Sequence, residues 1–347
     1  MTTTPLRLIP PLQRWSVPRL LATSAVGLLL WAIVAAGCLC VGSNGKIAWP
    51  ADALVRSYRL EVVLLSSLVG ACLAAAGVVY QAILRNPLAD PYLLGVSSGA
   101  SLCAYLWRFP FTLALSSFAV AMGQQAFSFA GALAAVSVVL LLSNRWGRLD
   151  PLTLLLVGVI VNAINGSIFL LLNTLYPELT QGSGGALGFL VGGIQTNLTL
   201  GQELSAAIVA GAGWIVLMFL GGRLNVASAG EAEALALGVR IQQLRWIGLI
   251  VASFVTAAGV AVSGPIGFVG LICPHVARRL IGTDQRKLLP WSTALGAALL
   301  AVADAASRLV AGRQFASTVL PVGVLTALLG GPFFLLLLWE GRRRNES

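Results

Sequence analysis

Apolar residues in this chain do not recur on one helix face; they run on, interrupted by short polar, glycine-rich or proline-bearing stretches. A run of about 20 apolar residues matches the hydrocarbon thickness of a bilayer, and windows of that length predict ten membrane spans. Five lie near Leu20–Val41, Val62–Leu84, Leu93–Leu113, Gln125–Leu142 and Leu152–Leu172. The other five lie near Leu204–Leu220, Trp246–Val262, Phe268–Leu280, Leu289–Val310 and Pro321–Trp339. The third, fourth and eighth are the least sharply bounded. A shorter piece, Ala186–Ile194, sits among Gly182, Gly184, Gly185, Gly188, Gly192 and Gly193. It is too short to span and reads as re-entrant or interfacial.

The sharpest interruption is Gln81 to Ala100, QAILRNPLADPYLLGVSSGA. Each of Asn86-Pro87 and Asp90-Pro91 stops a helix, because proline lacks the amide hydrogen and disfavours helical geometry in the residue before it. The chain is therefore expected to reach a membrane face here, turn in a defined way and re-enter.

Composition agrees with that picture. The chain is 58% hydrophobic and 10% charged, against about 25% charged in a soluble domain. Ten spans use most of the 347 residues, which leaves no room in the loops for a folded soluble domain. The net charge of +10 is explained by topology, since Lys and Arg accumulate on the cytoplasmic side. With both termini inside, only Lys46, Arg56, Arg59, Arg108, Arg308 and Arg313 fall on or toward the other side. The charge is thus an argument for lipid headgroups and orientation, and none for nucleic acid. The basic N-terminus before an apolar run resembles a signal peptide. The run is long, however, and Cys38 and Cys40 suit a cleavage site poorly, so it is read as a retained first helix.

Little catalytic chemistry is offered. There is no P-loop G-x-x-x-x-G-K-[ST], the single histidine has no metal-ligand cluster around it in sequence, and the five cysteines form no C-x-x-C pair. Inert buried thiols are expected, with no metal, no catalytic residue and no cofactor bound by this chain. A proton- or sodium-coupled carrier keeps an ionisable residue deep in its spans. The main candidate is Asp304, but Arg308 stands one turn further on and can neutralise it. A structural or gating pair and a coupling site both remain open for it. His275 is a capping or packing residue at the break after Pro274, and only the family resemblance given below raises a ligand for haem iron as its alternative. Asn162 and Asn165 share one face of the fifth span with Asn173 beyond; they either hydrogen-bond between helices or, as the family resemblance given below implies for this span, line a pathway. Gly70 and Gly77 read as close helix packing. Ala75-Ala76-Gly77-Val78 and Ala257-Ala258-Gly259-Val260 recur on helices expected to run oppositely, each followed by a proline break, as in inverted-repeat transporters.

Four constellations then act together. The first is Arg85-Asn86-Pro87-Leu88-Ala89-Asp90-Pro91 with Gly95-Val96-Ser97-Ser98-Gly99-Ala100. The second runs from Gly264-Pro265 through Cys273-Pro274-His275-Val276-Ala277-Arg278. The third joins Gly282-Thr283-Asp284-Gln285-Arg286, Leu289-Pro290, Asp304 and Arg308. The fourth is Leu320-Pro321-Val322-Gly323 with Gly330-Gly331-Pro332. In this order and spacing the chain, from about Arg56 onward, resembles the binding-protein-dependent ABC permeases of the iron-siderophore, haem and cobalamin (FecCD-like) family.

The resemblance implies an all-α type II ABC importer permease. It would be one transmembrane domain over residues 1–347, with a membrane core of 19–347 and a cytoplasmic coupling region of 222–245. The partners implied are a second permease subunit (homodimer or close heterodimer), a cytoplasmic ABC ATPase dimer holding ATP and Mg, and a periplasmic or lipid-anchored substrate-binding protein. The location implied is the bacterial inner membrane. Gly230, Glu231, Glu233, Ala234, Leu237 and Gly238 match the segment that couples to the ATPase. Ser228 and Glu231 have capping-box spacing, and Gly238 is a natural helix stop; a solvated connector is the plainer reading. Arg56, Arg59 and Arg308 match arginines that meet the binding protein, interfacial anchoring being the alternative. Tyr58 and Val319 depart from the family pattern there. Arg85, Asn86, Pro87, Asp90, Pro91, Gly95, Pro274, His275, Arg278, Asp304, Pro321 and Gly323 carry the motif structure. Among cargoes, ferric siderophore comes first because it is the commonest in the family. The competing class is a secondary transporter or channel that needs no ATPase.

Overall fold

A computed structural model describes residues 17–42, 47–107, 109, 117–145, 148–177, 191–195, 198–314 and 320–346. Its helices, in chain order, are α1 (Val17–Leu39), α2 (Ala53–Leu84), α3 (Val96–Leu106), α4 (Ser117–Leu142), α5 (Pro151–Leu175) and α6 (Leu200–Ala229). They continue with α7 (Glu231–Ala236), α8 (Ile241–Ser263), α9 (Val269–Ile281), α10 (Gln285–Gln314) and α11 (Val322–Glu346). A 3-10 turn, Pro91–Leu94, precedes α3, and a two-residue antiparallel ribbon, Asn144–Arg145 with Arg148–Leu149, joins α4 to α5. Seven of the helices are long and apolar enough to cross a membrane. With α3, α9 and the apolar part of α11, each of the ten expected spans coincides with a helix, and α7 is the short extra one. The third span is shorter than expected: α3 stops at Leu106, and residues 110–116 lie outside the described residues. The fourth is interrupted at Gly123, whose φ of 73° is a glycine conformation, and the expected span, Gln125–Leu142, begins just beyond it.

Helix α2 is the axis of the molecule. Its most apolar window is 83% buried, against 6% for α1 and 17% for α5, and it packs on α6, α8, α9 and α10. Lipid tails are as apolar as leucine, so helices in a bilayer associate by close packing of small residues rather than by hydrophobic burial. The Ala74–Gly77 stretch supplies that surface. A Cβ at Gly70 would fall on the carbonyl of Gly296 in α10, and one at Gly77 on the carbonyl of Gly270 in α9. Helices α2 and α8 run antiparallel, Cys72 lying by Gly259 and Ile83 by Gly248. The two Ala-Ala-Gly-Val copies therefore run in the opposed directions expected of them, Gly77 turned to Gly270 of α9 and Gly259 to Val69 and Cys72 of α2. Each helix is followed by a non-helical break and a shorter helix, α3 or α9.

Gly77→Ala is expected to destabilise the chain by about 1–3 kcal/mol through overpacking, lowering the thermal unfolding midpoint in detergent. Gly211→Ala, where an added Cβ meets nothing within 4 Å, should leave the midpoint in place.

Candidate functional sites

The two breaks are pinned to one another. Helix α2 ends at Arg85, held at φ 49° and ψ 34°, and Asn86 then folds a turn by accepting the Leu88 N–H at 2.9 Å. Asp90 caps the 3-10 turn by accepting from Tyr92 N at 3.0 Å, and its other oxygen accepts from Phe268 N at 3.2 Å. Phe268 is the N-cap of α9, at φ 70°. One carboxylate thus closes the connector of the first repeat and caps the half-helix of the second. Pro91 stacks on Gly270, and Gly95, at φ 79°, brings the start of α3 against Val161 of α5.

Pro274 lies inside α9, not at its edge, so no break follows it and His275 caps nothing. The break precedes the helix, at residues 264–268. An interior proline removes the hydrogen bond to the carbonyl four residues back, here that of Gly270. The side-chain amide of Gln81, from α2, donates to that carbonyl at 3.2 Å, and Arg278 donates to the Gln81 Oε1 at 2.9 Å. This local replacement lets α9 run on through the proline. Sequence reading missed Gln81; the signal was a lone amide in an otherwise apolar run. His275 sets its ring edge-on to Phe333 of α11 at 5.7 Å. Among the described residues no group of three His, Cys, Asp or Glu is placed to hold a metal.

Pro321 and Gly323 begin α11 against the chain at 191–195: Gly323 N donates to Gly192 O at 2.9 Å and Gln195 N to Val262 O at 3.2 Å. The described end of the short apolar piece is therefore wedged between the end of α8 and the start of α11. The rest of that piece, residues 186–190, lies outside the described residues.

On the end where α2 begins, the three matched arginines have different surroundings. Arg56 is exposed in the first turn of α2, with Leu54 and Tyr58 exposed beside it. Arg59 donates through Nη1 to the carbonyls of Leu39 and Ala48, both at 3.0 Å. Arg308 donates to the Val41 carbonyl at 2.9 Å and pairs with Asp304 at 2.9 Å. Arg59 and Arg308 thus brace the connector from α1 to α2, and Asp304 is held by its i+4 partner. Val319 lies outside the described residues.

In the fifth span, Asn162 donates to Tyr92 O at 2.9 Å and Asn165 to Ser98 Oγ at 3.1 Å. Both amides tie α5 to the 3-10 turn and α3, the interhelical alternative. The outward face of α5 carries Ile160, Ala163, Ile164 and Ser167 instead. Asn173, half-buried further along, makes no hydrogen bond through Oδ1.

The opposite end carries α7. Ser228 does not cap it: α6 continues to Ala229, and the Ser228 hydroxyl donates back to Leu224 O at 2.7 Å. A serine inside a helix is satisfied by its own preceding turn, and Gly230 takes the cap position. Glu231 opens α7, its side chain lying outside the described residues. The stop is at Gly238, φ 73°: Val239 N donates to Ala234 O at 2.9 Å and Gly238 N to Leu235 O at 3.0 Å. Those two bonds are the Schellman pattern. Ala234 is fully buried, whereas Leu235 and Leu237 are 78% and 69% exposed, with Glu233 exposed too. Below α7, Arg85 donates to Ala227 O at 2.9 Å, and Asn225 donates to Asp284 Oδ1 while accepting from Gln285 N, both at 2.7 Å. The stem of α7 is therefore tied to the end of α2 and the start of α10.

Gln81→Leu is expected to leave the Gly270 carbonyl and the Arg278 guanidinium without this partner, costing about 1–3 kcal/mol. A drop in the unfolding midpoint in detergent would show it; Gln81→Glu, which keeps an acceptor for Arg278 alone, should fall between.

Residues 29–340 match the FecCD transport family. The chain is 40% identical over 290 residues to the cobalamin import system permease protein of Halobacterium salinarum, covering 83% of this chain and 74% of that protein. It is 39% identical over 304 residues to the hemin transport system permease protein of Yersinia pestis, covering 84% of each. A solved structure described as an inward-facing conformation of a metal-chelate type ABC transporter superposes with a TM-score of 0.75 at 29% identity, covering 93% of this chain and 99% of that one. The fold is thus shared along nearly the whole length, and the chain belongs to the FecCD transport family, as a membrane permease subunit and not an enzyme.

Proposed function

We propose that this chain is the translocating subunit of an ABC importer for an iron chelate, with ferric siderophore the first cargo to test and haem and cobalamin next. The relatives named for cobalamin and hemin import and a Bacillus subtilis relative named for iron(3+)-hydroxamate import support that range. The observation that carries the reading is α7. A short helix that buries Ala234 and holds Leu235 and Leu237 out at its far end is a surface made to be covered. Apolar side chains surrounded by polar ones are what a partner groove takes as anchors. The partner is a cytoplasmic ATPase dimer, which holds ATP and Mg; this chain binds no cofactor.

Two copies of the chain, or this chain and a close relative, enclose the pathway. The exposed faces of α5 and α11 support that arrangement, since Ile160, Ile164, Leu328, Leu329 and Leu335 are more than half exposed among the described residues. A binding protein docks on the Arg56 end, so both termini lie in the cytoplasm and the membrane is the bacterial inner membrane. Residues 222–245 form the coupling region of a single permease domain. Transport proceeds by alternating access: the nucleotide state of the ATPase tilts the dimer between outward- and inward-facing forms. Swinging such a balance from 1:99 to 99:1 takes about 5.5 kcal/mol of differential binding, which calls for a firmly seated α7. The Asp304–Arg308 pair, already neutralised and braced on Val41, offers no free carboxylate for ion coupling, which weighs against a secondary carrier.

The reading is tested by uptake of labelled ferric siderophores, haem and cobalamin in cells lacking this chain, with and without ATP depletion. ATP-dependent loss of one cargo, restored by the chain, supports it. Uptake that survives ATP depletion and follows an ion gradient would replace it with the secondary carrier. Leu235→Glu with Leu237→Glu should cut uptake about tenfold or more, equivalent to 1.4 kcal/mol of lost coupling, while the chain still reaches the membrane. Arg56→Glu should weaken binding-protein association by no more than about fivefold, as for an exposed pair, and the difference should vanish at high salt.

A further inference from the structure

A crevice of about 350 Å³ lies between α1 and α6, with α2 and α10 as its floor. Leu28 and Trp31 form one wall, Trp214 the other, and Ala71, Ala294 and Ala297 keep the floor low. Its volume lies within the range of small-ligand sites. Both indole N–H groups are spent inside the protein: Trp31 donates to Ser67 Oγ at 3.0 Å and Trp214 to Thr293 Oγ1 at 2.9 Å. The rings therefore offer carbon alone to an occupant. Helix α1 is 6% buried, so the crevice opens toward lipid.

Beyond the Pro290 end of the crevice stand two cations. Arg286 lies across α6 at Gly221 and Gly222, where a Cβ on Gly222 would come within 2.7 Å of Nη2, and Lys287 follows it. On α10, Arg286 is about one turn from Pro290, which lines the crevice; on α6, Gly221 is about two turns from Trp214. An apolar slot headed by a cation on the same two helices matches an acyl chain below a phosphate. We propose that this crevice is a binding site for one anionic phospholipid, its chain between Trp31 and Trp214 and its headgroup at Arg286. A neutral phospholipid fits the slot but gains nothing from the charge, and a second copy of this chain would shut lipid out.

The full-length chain is reconstituted into phosphatidylcholine vesicles in which a fixed fraction of lipid is brominated phosphatidylglycerol or brominated phosphatidylcholine. Tryptophan quenching is read as the difference between the native chain and Trp31→Phe/Trp214→Phe, so that the other tryptophans cancel. Brominated phosphatidylglycerol should quench this difference signal at about fivefold lower mole fraction, as expected for one cation facing an anionic lipid. Arg286→Gln should remove that preference and keep the quenching; Ala71→Phe, which fills the slot, should reduce quenching by both lipids. Ala297→Leu fills it more mildly and carries the same comparison if Ala71→Phe does not fold. Equal quenching by both lipids in the native chain, quenching unmoved by filling the slot, or no quenching at all would each overturn the proposal. None of these readouts depends on cargo or ATP, so failure here and failure of the importer reading are separate results.

Discussion

The constraint on which this structure depends is that a bilayer gives packed helices almost no hydrophobic reward, so contact distance must supply the cohesion. Helix α2 meets it by having no side chain where it matters. Gly70 receives the Gly296 backbone and Gly77 that of Gly270, at the two places where α10 and α9 cross it. The alanines between them let α8 approach from another side. Because one helix holds all three contacts, its position fixes theirs, and the more exposed helices α1 and α5 are left on the outside of that arrangement.

A second constraint follows from the first. Helices broken inside a membrane expose backbone groups that water cannot reach, and each must find a partner in the protein. Here the partners come from the opposite repeat. Asp90 satisfies the N-terminus of α9, and Gln81 satisfies the carbonyl that Pro274 sets free. The breaks therefore cross-link the repeats as well as bending the chain. An isolated half would have an uncapped half-helix, which gives a physical reason for both halves to sit in one chain.

Much of this was legible in the sequence, and the divisions are instructive. Spans are read from runs of a single property, so all ten were visible, and so were the turn at Asn86-Pro87, the stop at Gly238 and the tight packing at Gly70 and Gly77. What stayed hidden were partners far along the chain. Pro274 looked like a break because nothing local shows that Gln81, 193 residues away in number, will donate to the Gly270 carbonyl in place of the N–H that proline lacks. Ser228 had the spacing of a cap, but α6 simply ran one residue past it. Arg59 and Arg308 share a residue type with Arg56, and only folding shows that the first two hold the carbonyls of Leu39, Ala48 and Val41 while Arg56 stays at the surface. Asn225, a polar residue near the end of a span, carried no motif and was passed over, although it clips α6 to the start of α10.

That clip bears on how a push at α7 would travel. A helix joined to its stem by a glycine alone could pivot freely and deliver little to the membrane. Here the stem just before Gly230 is held twice: Arg85 grips it from the C-terminus of α2, and its own Asn225 is clipped to the Asp284–Gln285 start of α10. Force on the exposed leucines therefore reaches α2 and α10 together, and those are the two helices that meet most closely at Gly70 and Gly296. With both ends of that contact moved at once, sliding one helix past the other is resisted by backbone against backbone. On the proposed importer reading, a rigid swing of the α2–α10 pair with its attached repeats meets less resistance at that contact than sliding does, and it carries the Asp90–Phe268 latch with it rather than through it.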